Sequence, residues 1–346
     1  MAERNSEKNI ALFQEEKPSL ESYWRSIVLF GRNTASYKFS LAESLLDYAK
    51  KGITTISLEE LANPFSGNIC RHIKTEERQA TNSSSTFLKD CLDFAKDKIS
   101  HEQLLQSTVN NGFRYVLDCF HRVNGDDIPV KFYEKNGKKL LLTDELLKIA
   151  TISTSINLYE ENEARWNLVE TAWKLNISPD LLNVRYDDQS KILFIDEQFK
   201  RKDITSARGA LDGYQKGKCF YCFDDIVVSD DENNTCDVDH FFPHTLQHLM
   251  PEINLNGVWN LVLACPNCNR GANGKFAKVP AIKYLERLHK RNEFLISSHH
   301  PLRETIINQT GKTEQARAAF LREVDKRAIN LLIQRWETEE KQEACF

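Results

Sequence analysis

Apolar residues recur at helical spacing through SLESYWRSIVLFGRNTASYKFSLAESLLDYAKKG (19–52), with a break near Gly31 and a stop at Gly52, which predicts two helices. Ser57 with Glu60 three residues on has the form of a capping box and predicts a short helix over Ser57–Ala62. TEERQATNSSST (75–86) is the least hydrophobic interior stretch and predicts an exposed loop. Helical spacing resumes over 87–97, 100–108 and 110–121. The period then shortens. VKFYEKNGKKLLLT (130–143) sets β-rich runs on either side of Asn136-Gly137, a pair that suits a type I′ turn and predicts a hairpin. Helices near 143–150 and 160–175 follow, then a second hairpin over 182–196. Residues 1–18 show no such pattern and read as a frayed tail. The fold class expected is α+β, with a helix-rich domain carrying small hairpins over 1–198, whose role is targeting, regulation or partner binding.

Composition narrows the class. The chain has 346 residues, 41% hydrophobic and 28% charged, which is ordinary for a soluble globular protein with room for two domains. No apolar run approaches the roughly 20 residues of a membrane span, and the polar start, MAERNSEKNIALFQEEKPS, has no apolar export segment. Nine cysteines point to a reducing cytoplasm with some thiols on metal rather than to a disulfide framework. His72, His101 and His121, and Cys70, Cys91 and Cys119, lack partners at chemical spacing and read as structural, the cysteines as small core residues; Trp24, Trp166 and Trp173 likewise fit core positions.

A net charge of −4 argues against a uniformly basic nucleic-acid binder, but the charge is uneven. Lys200, Arg201, Lys202, Arg208, Lys216 and Lys218 crowd residues 200–218, and seven basic groups crowd 269–291. Between them, residues 224–240 hold seven carboxylates and no Lys or Arg. That arrangement suits phosphate grips around an acidic centre that needs a cation, or simply solvated faces.

The chemistry concentrates in 200–275. Cys219-Phe-Tyr-Cys222 and Cys265-Pro-Asn-Cys268 form a split pair of CxxC knuckles, and four thiolates complete a closed tetrahedral site that favours structural zinc. Cys236, His244 and His248 are further potential ligands, demoted because four thiolates already satisfy one ion. Within CDVDHFFPH (236–244), His240 and His244 have helical ligand spacing, but Pro243 and the flanking Val238, Phe241 and Phe242 read as strand.

With Cys219-x-x-Cys222, Asp237-Val-Asp239-His240-x-x-Pro243 and Asn260-Leu-Val-Leu-Ala-Cys265-x-x-Cys268-Asn269, followed by Lys275, the segment resembles an HNH nuclease of the ββα-metal type. The resemblance does not extend to 1–198. It implies that His240 is the general base, that Asp239 and Asn269 hold one catalytic divalent ion (Mg2+ or Mn2+), and that Asn260 orients the base and holds its loop. Asn260 follows His240 by 20 positions and precedes Asn269 by nine. Asp237 either assists the metal or solvates a strand edge. Asparagine at the last motif position, where some relatives have histidine, still offers an oxygen to a hard cation.

The HNH domain is then expected over 199–300. Arg270, Lys275, Lys278, Lys216 and Lys218 are the candidate nucleic-acid contacts, and Lys283, Arg287 and Arg291 lie on a basic amphipathic helix over 276–296. Residues 301–346 supply a last helix (313–337), with Thr313 as N-cap, that packs on the nuclease domain or a partner. The expected activity is metal-dependent endonucleolytic cleavage of DNA, RNA remaining open, in bacterial defence against foreign DNA. Either the N-terminal domain or the last helix is the expected surface for a protein partner or a second copy. The competing readings are a non-catalytic zinc-stabilised nucleic-acid-binding or adaptor module, and an RNase toxin.

Overall fold

A computed structural model of the protein describes residues 19–30, 33–81, 85–123, 125–175, 183–197, 200–229, 235–298 and 300–346; the expected tail at 1–18 lies outside them. The described residues form two units, one within 19–155 and 165–175, the other within 156–164 and 183–346.

The first unit opens with the two expected helices, α1 (Leu20–Phe30) and α2 (Tyr37–Lys50). Strand β1 (Thr55–Ser57) leads into α3 (Leu58–Ile73), where the Ser57 hydroxyl accepts from the Glu60 N–H and the Glu60 carboxylate accepts from the Ser57 N–H. This helix runs well past the predicted Ala62, through Pro64. A proline there has no N–H for the carbonyl four residues back. That carbonyl belongs to Glu60, and the Tyr48 hydroxyl from α2 donates to it instead at 2.8 Å.

Helices α4 (Thr86–Ala95) and α5 (His101–Ser107) match their predicted spans within about two residues, each capped by a serine side chain. The helix expected over 110–121 is not formed as one piece: a π-turn (Thr108–Gly112) continues α5, and only α6 (Val116–Cys119) is regular. Cys119 is exposed rather than in the core.

Two-residue strands β2 (Arg122–Val123) and β3 (Asp126–Asp127) precede the predicted hairpin, β4 (Tyr133–Asn136) and β5 (Lys139–Leu142). Its register pairs Asn136 with Lys139, so Gly137 and Lys138 are the central residues. Only Gly137 has positive φ, which places the glycine first, as a type II′ turn requires, and not second after Asn136. Helix α7 (Asp144–Thr151) closes the segment. In this core His72 stacks on Trp166 at 3.6 Å and pairs with Glu170 at 3.0 Å, while His121 accepts from the Phe132 N–H at 2.9 Å. Both histidines are packing elements.

Helix α8 (Ser155–Lys174) contributes Ile156–Ala164 to the second unit. There β6 (Arg185–Asp187), β7 (Ile192–Glu197) and β8 (Lys200–Ser206) form an antiparallel sheet in that order. The boundary expected at 198/199 therefore falls inside one sheet, because the second hairpin pairs onward with β8. Helix α9 (Ala207–Gln215) packs on α8 through Gly209, where an added Cβ would lie 2.6 Å from the Glu160 carbonyl oxygen.

Strands β9 (Asp237–His240) and β10 (Leu261–Ala264) pair antiparallel, with His240 opposite Leu261 and Asp237 opposite Ala264. The short helix α10 (Pro266–Arg270) follows directly. Strand β11 (Val279–Pro280) delays the predicted basic helix, which becomes α11 (Ile282–Ser297). Helices α12 (Arg303–Thr310) and α13 (Glu314–Leu332) come next, and the Thr313 hydroxyl caps α13 as expected. Ile333 at φ +65° ends α13 earlier than predicted, and β12 (Arg335–Trp336) turns back to pair with β11. Among the described residues no helix is long and apolar enough to cross a membrane.

Candidate functional site

The two knuckles meet. The sulfurs of Cys219, Cys222, Cys265 and Cys268 all lie within 4.8 Å of one another, and all four residues are buried. The first knuckle closes through bonds from the Cys219 N–H to the Asp224 carbonyl and from the Phe223 N–H to the Cys219 carbonyl, with Phe223 at φ +60°. Its Phe220 N–H reaches Leu263 of β10, which ties it to the second knuckle. Gln215 bonds both the N–H and the C=O of Leu263, at 2.9 and 2.8 Å, and so covers the outer edge of β10.

Hydrogen bonds from the neighbouring thiols hold the Cys265 thiol far below the usual range, while the same neighbours push Cys268 up. Four ionised sulfurs cannot share that volume without a cation. The quartet is thus placed to bind a metal such as zinc. Cys236 is buried outside it, and His244 and His248 are exposed. The quartet is the one group of three or more His, Cys, Asp or Glu side chains among the described residues close enough to hold an ion.

Beside the quartet, β9, β10 and α10 make a ββα unit. A cavity of roughly 350 Å³ is lined by Asp239 and His240 of β9, Asn269 of α10, Asp188 and Lys191 from the β6–β7 turn, and His244, Lys275 and Phe276. Asp239 is buried and accepts the Tyr221 hydroxyl at 2.7 Å, and its other oxygen is 3.2 Å from the Lys275 ammonium. Burial raises the Asp239 carboxyl above its ordinary range, against the pull of Lys275.

His240 is only 5% exposed, and its Nε2 is 2.9 Å from the Asn256 side-chain oxygen. An amide oxygen there accepts, so Nε2 carries the proton and Nδ1 keeps a lone pair. Nδ1 lies 3.8 Å from Asp188. Burial lowers the imidazole to about 4, while the Asp188 carboxylate pulls it up. A neutral ring at neutral pH, with one free nitrogen facing a cavity, is chemically able to take a proton.

Asn260 is fully buried and makes no bond to the imidazole. Its amide oxygen accepts from the Phe242 N–H at 2.8 Å, and its amide nitrogen donates to the carbonyls of Phe242 and Leu255. It therefore holds the loop that carries Asn256, and Asn256 is the group that contacts the base. Asn269 turns its amide nitrogen to Asp237 at 3.0 Å, and Arg270 pairs with the same carboxylate at 2.8 Å. Asp237 thus organises α10.

The basic residues divide differently from the sequence expectation. Lys275 is not a surface group: it is fully buried, and its ammonium donates to the carbonyls of His240 at 3.0 Å and Phe276 at 3.1 Å besides facing Asp239. Lys216 donates to the Cys345 carbonyl, and Lys218 reaches Asp225 and Gln342. Lys278 borders a separate shallow depression with Gln334 and Glu337. None of these three lines the His240 cavity. Arg270 is exposed but committed to Asp237. On α11, Arg287 bonds the Phe220 and Tyr221 carbonyls, Arg291 is buried against the Trp259 carbonyl, and Lys283 pairs with Glu337. The basic face expected to meet phosphate largely fastens the knuckle and the chain end.

Asp188, Asn256 and Tyr221 are missing from the sequence-derived site. Asn256 sits in NLNG (254–257), which reads only as a turn, and Asp188 lies in a hairpin turn far upstream. No family model, no curated protein and no solved structure matches the chain.

Proposed function

We propose that the protein is a metal-dependent nuclease of the HNH type that hydrolyses phosphodiester bonds of DNA. The observation that carries this reading is the convergence of Asp239, His240 and Asn269 on one cavity beside a four-thiol cluster. His240 acts as general base: its free Nδ1 takes a proton from water as the oxygen attacks phosphorus, and burial keeps the ring neutral and available at pH 7. Asp188 then faces the newly charged imidazolium across 3.8 Å. Asn256 fixes the ring's tautomer, and Asn260 acts through the loop that positions Asn256.

The donor set fits a hard divalent ion. Asp239 and Asn269 line the same cavity, and the carboxylate and amide oxygens they could offer suit magnesium or manganese better than a second zinc. Such an ion supplies counter-charge to the phosphate and the departing oxygen. The Lys275 ammonium pairs with Asp239 and donates to the His240 carbonyl, so it links the carboxylate to the strand that carries the base.

One observation favours a second reading. Asp239 already has the Tyr221 hydroxyl and the Lys275 ammonium as partners, which is how a zinc-stabilised binding module without catalysis would satisfy a buried carboxylate. Incubation of plasmid DNA and of single-stranded DNA and RNA with magnesium or manganese separates the two. Cleavage that needs the divalent ion supports the nuclease, preference for RNA redirects it to an RNase, and binding without cleavage on every substrate supports the module.

A further inference from the structure

We infer that Phe276 is a stacking platform for a nucleobase beside the scissile phosphate, so that the site takes a DNA strand with an unstacked base, single or locally opened, in preference to intact duplex. This rests on the nuclease reading above. Phe276 is 54% exposed although its neighbour Lys275 is fully buried, and it lines the cavity that holds His240. Scattered exposed apolar residues are common and need no explanation by themselves.

The backbone makes this one different. Phe276 has φ +46°, a left-handed conformation that is a strained state for a bulky side chain and one that glycine or asparagine adopts more readily. Both of its peptide handles are fixed: the N–H donates to the Asn269 carbonyl at 3.0 Å, and the C=O accepts from the Lys275 ammonium at 3.1 Å. The same ammonium holds the His240 carbonyl and faces Asp239, so the ring is tied to the candidate base and the candidate metal ligand through one buried group. The fold thus fixes the backbone of an exposed aromatic residue beside the site.

An aromatic face of this kind is recognised by the π-face of a base, without regard to sequence. In a stacked duplex both faces of each base are covered by their neighbours. Only a splayed or unpaired base offers one. The ring also accounts for strand placement in a site where Lys216, Lys218 and Lys278 do not line the cavity: stacking supplies the anchor beside the cavity that those lysines do not.

The test uses the zinc-loaded full chain in a His240→Ala background, so that bound strand stays intact, and a single-stranded oligodeoxynucleotide carrying 2-aminopurine as the probe. Binding quenches the fluorescent base when it stacks. Phe276→Ala is expected to abolish the quench and weaken binding roughly 10- to 100-fold, while Phe276→Trp keeps both. The matched duplex is expected to bind more weakly without quenching. Equal affinity and quench in Phe276→Ala, or no binding of either strand form, overturns the inference. Cleavage by the chain with His240 intact is read separately. A strand that is cut equally fast with and without the Phe276 ring removes the platform and keeps the nuclease. A strand that is quenched through Phe276 but never cut removes the nuclease and keeps the platform.

Discussion

Replacing Asn260 by alanine separates a group that acts on the base from one that holds a loop. The side chain is fully buried and makes three hydrogen bonds, from the Phe242 N–H and to the carbonyls of Phe242 and Leu255. Alanine leaves those three backbone groups without their partner in a place closed to solvent. Each orphaned group costs about 1–3 kcal/mol, so the loss is about 3 kcal/mol or more, reduced if water enters the vacated space. For a unit of this size that lowers Tm by roughly 6–12 °C. The assay is thermal denaturation of the zinc-loaded protein, with DNA cleavage measured well below the melting range. His240→Ala serves as the comparison, since it removes one side-chain hydrogen bond, to Asn256, besides ring contacts with Tyr186 and His244, and is expected to move Tm less than Asn260→Ala. Asn260→Ala is expected to lose stability and activity together. An Asn260→Ala protein that melts within about 2 °C of the parent yet no longer cleaves would refute the loop argument and give the amide a direct part in the chemistry.

The first unit should be acid-sensitive through His121. Burial lowers its pKa from 6.5 to about 4, and the neutral ring accepts the Phe132 N–H. The unfolded chain therefore binds this proton first: the contribution is complete above about pH 6.5 and is lost as the pH falls towards 4, amounting to about 3 kcal/mol. Urea titrations across that window should show the slope, and His121→Gln, which keeps an acceptor but does not titrate, should flatten it. Gly209→Ala sets a Cβ 2.6 Å from the Glu160 carbonyl oxygen and should cost about 1–3 kcal/mol as α9 is forced off α8, visible as a lower urea midpoint. Cys268→Ser, or chelation of the wild type, should remove the bound metal and unfold the second unit ahead of the first in a thermal scan, since the quartet joins two distant chain segments; coincident melting of a metal-free sample at the original temperature would contradict that role.

How much of this was readable beforehand follows from the range over which each feature is determined. The two CxxC pairs are legible because a knuckle is local and its chemistry leaves few alternatives, and two of them near a ββα pattern suffice to bring Cys219 and Cys268 together. The capping box at Ser57 is legible for the same reason. The length of α3 is not, since its passage through Pro64 depends on a hydroxyl from Tyr48 on another helix. Asp188 and Asn256 escape because their relation to His240 exists only after two turns fold against it. Lys275 misleads in the other direction. It lies between Arg270 and Lys278 in a stretch of small residues, and only the structure supplies the buried carboxylate and two carbonyls that make a fully enclosed ammonium stable. Charge read along the chain overestimates phosphate contacts for that reason: Arg287, Arg291 and Lys218 each have a structural partner.

The most direct test of the central claim compares the rate of DNA cleavage by the wild type and by His240→Ala, at matched zinc content, with magnesium or manganese added and then withdrawn. Ion-dependent cleavage by the wild type, a fall of at least about 100-fold in the variant, and unchanged zinc are expected. Cleavage that survives loss of the imidazole, or a wild type that cuts no nucleic acid with either ion, would contradict it.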